Sequence, residues 1–298
     1  MIRPGQSLED MKQKRFVTRC NNFRTKGHQI KGALISLMFL IICFYPYIAL
    51  SAEKKVATII AVPPEVALLT RFIGGPVVEV LSYLDWAEDG TLVVHTKTFP
   101  KDTILIALTP KEKKIPKGIS QVKYLYEFLP QGREEFDKYF FDPASLSFMA
   151  SRVLIALTEL DPSMYDYFQR RLAEFQSRLD SVVNVGREIL SGVSMLDLSG
   201  RMEFLLKASG ARVKRPSQEW FDLWEKGEGS EELVKCMERA KSQNTLVVAD
   251  AWSPKIIKDE VSNLSCGILL PAPKLDDMWT SYLHDLYLAL WNRFKAVP

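Results

Sequence analysis

The sequence predicts an α/β protein built as two α/β lobes joined by a single long rigid helix, with a cleft between the lobes, and three observations lead there. Short β-branched runs, VATIIAV at 56–62 and TLVVAD at 245–250, alternate with helix-like patterns in both halves of the chain, as strands do in βαβ units around a parallel sheet. Between the halves, Met164, Phe168, Leu172, Phe175, Leu179 and Val182 recur at fours and threes as far as about Ile189, which gives one helix with one apolar face, long enough to act as a strut. Finally, Asp142-Pro143 and Asp161-Pro162 each stand just ahead of a long apolar-periodic stretch. Asp accepts hydrogen bonds from the free amides of a helix start, and Pro at the first helical position has a preset φ and no amide to satisfy.

The elements follow in order. Residues 1–52 hold eight Lys and Arg against Glu9 and Asp10, and then an uncharged apolar run from Ala33 to Leu50 that closes on ALSA. A basic region, an apolar region and small residues at the exit make a secretory signal sequence. It is either cleaved after Ser51 or Ala52 or retained as an anchor, since the run has the length of a membrane span. Everything after it is then exported, to a periplasmic or other extracytoplasmic location.

The first lobe, 53–160, reads as strand 56–62, a helix over 66–73 stopped by Gly74-Gly75, strands at 77–81, 91–96 and 103–108, a solvated loop KEKKIPKG at 111–118, and a helix after Pro143 that buries Leu146, Met149, Val153 and Leu157. The strut takes 161–190. The second lobe, 191–298, reads as strand 193–197, helices at 201–210 and 231–240, strand 245–250, a helix from Ser253-Pro254, strand 266–271 and a closing helix Trp279–Phe294.

Composition excludes some functions. Without residues 1–52 the chain keeps 31 of its 39 basic and 34 of its 36 acidic side chains, so the positive balance belongs to the leader and nucleic acid is not implied. Cys236 and Cys266 remain, as a disulfide or as two buried thiols. No phosphate loop, GxSxG, CxxC or HExxH is present, and the exported part has only His95 and His284, which argues against an enzyme. Asp197, Asp250 and Pro271 fall at the C-terminal ends of strands, where ligands of open α/β sheets bind. Trp220, Trp224 and Trp252 are either core residues or an aromatic contact surface.

The order of these pieces carries a resemblance. A leader, a strand running into Pro63-Pro64, IGGPVVEVL, HTKTFPKD, FFDP, LDPSMY, a long helix and LVVADAWSPKIIKDE together resemble the solute-binding proteins of metal-ion ABC transporters, the zinc and manganese uptake family, over about residues 55 to 295. The resemblance implies a monomer that carries zinc or manganese as its transported ligand to an ABC permease in the membrane. Residue by residue, His95 resembles the family's first metal-binding His. Lys138 stands where a second His is usual, and a protonated lysine repels a cation. Asp197 or Ser199 stands near the third position and Asp250 at the fourth, while Pro271 or Ala272 replaces a later acid. The implied metal set is therefore His95, Asp250 and Asp197. The alternative is a diverged relative in which Lys138 and Ser199 face a cleft for another, anionic ligand, or one that serves as a module for a protein partner.

Overall fold

The computed structural model describes residues 58–129 and 132–296, all within one compact unit. The expected leader, 1–52, lies outside the described residues. The first sheet is wholly parallel in the order β2-β1-β5-β6, from β1 (Thr58–Val62), β2 (Glu79–Ser82), β5 (Ile104–Ala107) and β6 (Gln121–Tyr124). Side chains alternate across it. Ile59 and Ala61 face α1 (Pro64–Gly74) and the helices behind it, whereas Ile60, Val62, Leu105 and Ala107 lie under Leu84, Leu92 and Phe99. Leu84 and Leu92 belong to a separate antiparallel ribbon, β3 (Leu84–Trp86) with β4 (Leu92–Val94). The expected strand at 91–96 is thus three residues long and outside the main sheet.

A short helix α2 (Arg133–Asp137) and a 3₁₀ turn (Lys138–Phe141) lead to Asp142. Its carboxylate accepts from the amides of Ala144 and Ser145, both at 3.3 Å, and so caps α3 (Pro143–Leu160). Asp161 accepts from the Ser163 amide at 3.0 Å and opens a 3₁₀ turn that runs directly into α4 (Tyr165–Leu190). At 1.5 Å per residue the 26 residues of α4 span about 39 Å.

The second sheet is also parallel, β10-β9-β7-β8, from β7 (Ser194–Asp197), β8 (Arg212–Lys214), β9 (Leu246–Asp250) and β10 (Gly267–Leu270). Met195, Leu246 and Val248 face α4 and the last helix, α9 (Trp279–Ala296). Leu196, Val247 and Ala249 face α6 (Gln218–Glu225), α7 (Ser230–Ser242) and α8 (Lys255–Asn263); α5 (Glu203–Ala208) follows β7. Cys236 and Cys266 are free thiols, and burial raises both of their pKa values. Among the described residues no single helix is long and apolar enough to cross a membrane.

One apolar cluster runs through both halves, from Ile59 and Leu146 through Phe168, Phe175 and Leu190 of α4 to Met195 and Tyr287. Its tightest point is Gly186 of α4, where an added Cβ would sit 2.5 Å from the ring of the fully buried Tyr287 on α9. Gly→Ala inside a helix ordinarily gains about 1 kcal/mol. Here overpacking reverses the sign, and Gly186→Ala should cost about 2 kcal/mol in urea unfolding. A neutral or stabilised variant would show that α4 and α9 can slide apart at this contact.

Candidate functional site

The carboxyl ends of the second sheet's strands meet the first lobe, and most of the candidate residues gather there. Asp250, at the end of β9, is fully buried. Its Oδ1 accepts from the amides of Gly200 (2.9 Å) and Trp252 (3.1 Å) and from Ser253 Oγ (2.9 Å), and its Oδ2 accepts from the Arg201 amide (2.8 Å). This carboxylate is consumed in shaping the 198–202 loop. Asp197, at the end of β7, accepts from the Ser199 amide (2.9 Å), from Ser199 Oγ (2.5 Å) and from Arg215 Nη1 (2.8 Å). Burial pushes its pKa up, with Arg215 and Ser199 opposing. Ser199 Oγ in turn accepts from the Met202 amide at 3.1 Å. Asp197 and Ser199 therefore stand side by side as turn-forming groups.

The loop presents Arg201, whose side chain is 14% exposed. Its Nη1 donates to Glu65 Oε1 of α1 at 2.9 Å and its Nη2 to Asp137 Oδ2 of α2 at 2.8 Å. Glu65 is 1% exposed, and its second oxygen, Oε2, is buried without a hydrogen-bond partner. The guanidinium also stacks over the Trp252 ring at 4.4 Å. Burial pulls its pKa down while Glu65 and Asp250 hold it up. One side chain of the second lobe thus grips two carboxylates of the first, in the planar two-pronged geometry that guanidinium allows. Aromatic rings close the rest of the junction: Tyr139 stacks on Phe204 at 5.3 Å, and Phe141 lies 5.2 Å from Trp252 and 5.7 Å from Trp279. The side chain of Tyr282 lies at the same place, and burial, with Asp250 and Asp277 nearby, drives its pKa well up.

Lys138, the residue after Asp137, is 16% exposed and donates to Glu135 at 2.8 Å. His95 is set apart. It follows β4, is 54% exposed, and its Nδ1 lies 3.7 Å from Asp85 Oδ2. The tip of the same ribbon reaches the second lobe, where Gly90 (φ 83°) leaves no room for a Cβ against Trp252, and Lys258 Nζ donates to Asp89 O at 3.3 Å.

These residues do not fit a bare divalent cation between the lobes. Zinc asks for three or four N, S or O ligands on one point, and among the described residues no group of three or more His, Cys, Asp or Glu is placed to hold a metal ion. The acids of the junction are engaged by amides, hydroxyls and guanidinium groups instead. Sequence reasoning missed Glu65, Asp137 and Arg201. The one available signal was Glu65 itself, a lone acid at the head of the apolar helix PEVALLTRFIG.

No family model matches the chain, and no curated protein matches it in sequence. Solved structures do match in shape. ZnuA shares 18% identity with a TM-score of 0.59, covering 79% of this chain and 98% of that one. The laminin-binding protein Lmb of Streptococcus agalactiae, described as a bifunctional adhesin with metal-transporting activity, shares 14% identity with a TM-score of 0.55, over 80% and 99% of the two chains. FpvC of Pseudomonas aeruginosa, solved with Mn2+, shares 12% identity with a TM-score of 0.52, over 82% and 98%. The chain therefore has the two-lobe α/β fold of these metal-binding solute-binding proteins.

Proposed function

We propose that the chain is a non-catalytic binding component that works outside the cytoplasm alongside an ABC permease, and that it holds no bare divalent cation between its lobes. The placement of Arg201 carries this reading. The guanidinium sits at the lobe junction, tied to Glu65 and Asp137 and laid over Trp252, so the carboxylates that a cation would need there are already taken by a fixed charge partner. On this reading Asp250, Asp197 and Ser199 hold the 198–202 loop in shape, Lys138 supports the neighbouring acids, and His95 has no part in a first shell. The fold shared with ZnuA and FpvC supports a binding role, and the basic-then-apolar leader supports export and a permease partner. The division into lobes at 53–160 and 191–298, joined by 161–190, and the monomeric state belong to the same reading.

The competing reading, zinc or manganese as cargo on His95, Asp250 and Asp197, is separated by calorimetry. The full-length chain, stripped of metal, is titrated with each ion beside its His95→Ala variant. The expected result is no saturable heat in the micromolar range from either ion. One-to-one binding that His95→Ala abolishes would reinstate the metal-carrier reading.

A further inference from the structure

The outer face of the second sheet carries a groove that shares only Arg215 with the residues described at the lobe junction. It has a volume of ≈ 730 Å³ and lies where edge strand β8 passes beyond α6 and α7. Its lining is rich in cations: Lys214 at the end of β8, Arg215 just after it, and Lys235 and Arg239 on α7, against a single acid, Glu232. Arg215 is held by Asp197 at 2.8 Å and Lys235 by Glu231 at 2.6 Å. Lys214 and Arg239 have no ion pair among the described residues, so two charges remain for a ligand.

The groove also has a flat wall. Trp220 is 36% exposed and stacks on Trp224 with centroids 5.9 Å apart and planes 24° from parallel. Trp224 is itself 2% exposed, and its Nε1 donates to Gly229 O at 3.1 Å. The outer indole is therefore backed by a fixed one, which makes it a preorganised stacking platform rather than a loose surface ring. Ser217, beside it at the start of α6, makes no side-chain cap bond and also lines the groove.

Unneutralised Lys and Arg beside a rigid indole recognise one kind of molecule. We infer that this groove binds a planar anion, an aromatic or heteroaromatic ring bearing a carboxylate or a phosphate ester, with the ring on Trp220 and the charge on Lys214 and Arg239. The site stands independently of what the lobe junction does.

The test is calorimetry with saturation-transfer NMR on the full-length chain, using adenosine 5′-monophosphate against neutral adenosine, benzoate against neutral benzamide, and inorganic phosphate. The expected result is saturable binding of at least one planar anion at sub-millimolar concentration. Lys214→Ala and Arg239→Ala should each weaken it about tenfold, as loss of a charge-assisted hydrogen bond does, and Trp220→Ala should abolish ring saturation. All three positions lie at the surface of the groove, and an unchanged melting temperature in each variant shows that folding is intact. Binding of the nucleotide alone assigns a phosphate ester, and of benzoate alone a carboxylate. If neither anion saturates, if the neutral partner binds equally well, or if the Lys214 and Arg239 variants bind like the parent, the inference is overturned. Tight binding of inorganic phosphate without either ring also overturns it, since Trp220 would then have no role.

Discussion

Replacing Arg201 by methionine should lower the stability of the protein by about 4 kcal/mol, the usual cost of removing one partner from a buried ion pair. The loss comes less from the missing attraction than from what stays behind. Glu65 is 1% exposed and already has one unpartnered oxygen; without the guanidinium its charge is buried and unpaired, and Asp137 loses its partner across the lobes. In a unit of this size about 4 kcal/mol corresponds to a drop of roughly 8–16 °C in Tm. Lysine at this position should rescue little, because one ammonium cannot reproduce the fork in which Nη1 and Nη2 each serve a different carboxylate. The double variant Arg201→Met with Glu65→Leu separates two accounts. Recovery of most of the loss means that desolvation of Glu65 dominates, whereas persistent loss means that the tie between the lobes has value of its own. A single-variant loss below about 1 kcal/mol would remove Arg201 as a clasp, on the scale expected for exposed pairs.

Asp250→Ala is expected to be as damaging by another route. Four donors converge on this carboxylate, three of them backbone amides, and each buried amide left without an acceptor costs about 1–3 kcal/mol. The expected loss is about 4 kcal/mol, seen as a lower urea midpoint with an unchanged slope. Asp250→Asn should lose roughly half as much. Asn can keep Oδ1 for Gly200, Trp252 and Ser253, but it turns an NH2 group toward the Arg201 amide, where an acceptor is needed. The same donors would be orphaned on the metal-carrier reading, so the urea midpoints report on the 198–202 loop, and calorimetry with the two ions reports on function.

Much of the fold was legible because its signals are local. TLVVAD became β9 and VATIIAV became β1, since buried parallel strands are short continuous apolar runs. Asp142 was readable as a cap because the amides that donate to it lie two and three residues away. What escaped was short, polar or marginal. The edge strands β6 (QVKY) and β8 (RVK) carry one and two charged residues and are partly exposed, so they lack the apolar run that marks β1 and β9. LVV at 92–94 has the composition of a sheet strand yet pairs only in a ribbon, because its partner is the adjacent Leu84–Trp86. The junction was half legible. Asp197 and Asp250 were found by their place at strand ends, but their partners were not. Arg201 meets Glu65 across 136 residues of chain and Asp137 across 64, separations at which neither spacing nor periodicity carries information. His95 was singled out by the resemblance of HTKTFPKD to the family's first metal-binding segment, and it lies just after β4, beside Asp85.

The unbroken apolar cluster that passes from Ile59 through α4 to Tyr287 has a mechanical meaning. Parting the lobes by any sizeable angle is not the bending of a linker; it strips core side chains such as Phe168, Phe175 and Leu190 of their neighbours and wets them, at about 25 cal/mol for each Å² of apolar surface. A stiff rod embedded in both halves offers no soft torsion to absorb the movement. Opening the angle between the two sheets therefore carries a cost that grows with the apolar area wetted, and that cost falls on the core of the molecule rather than on a hinge.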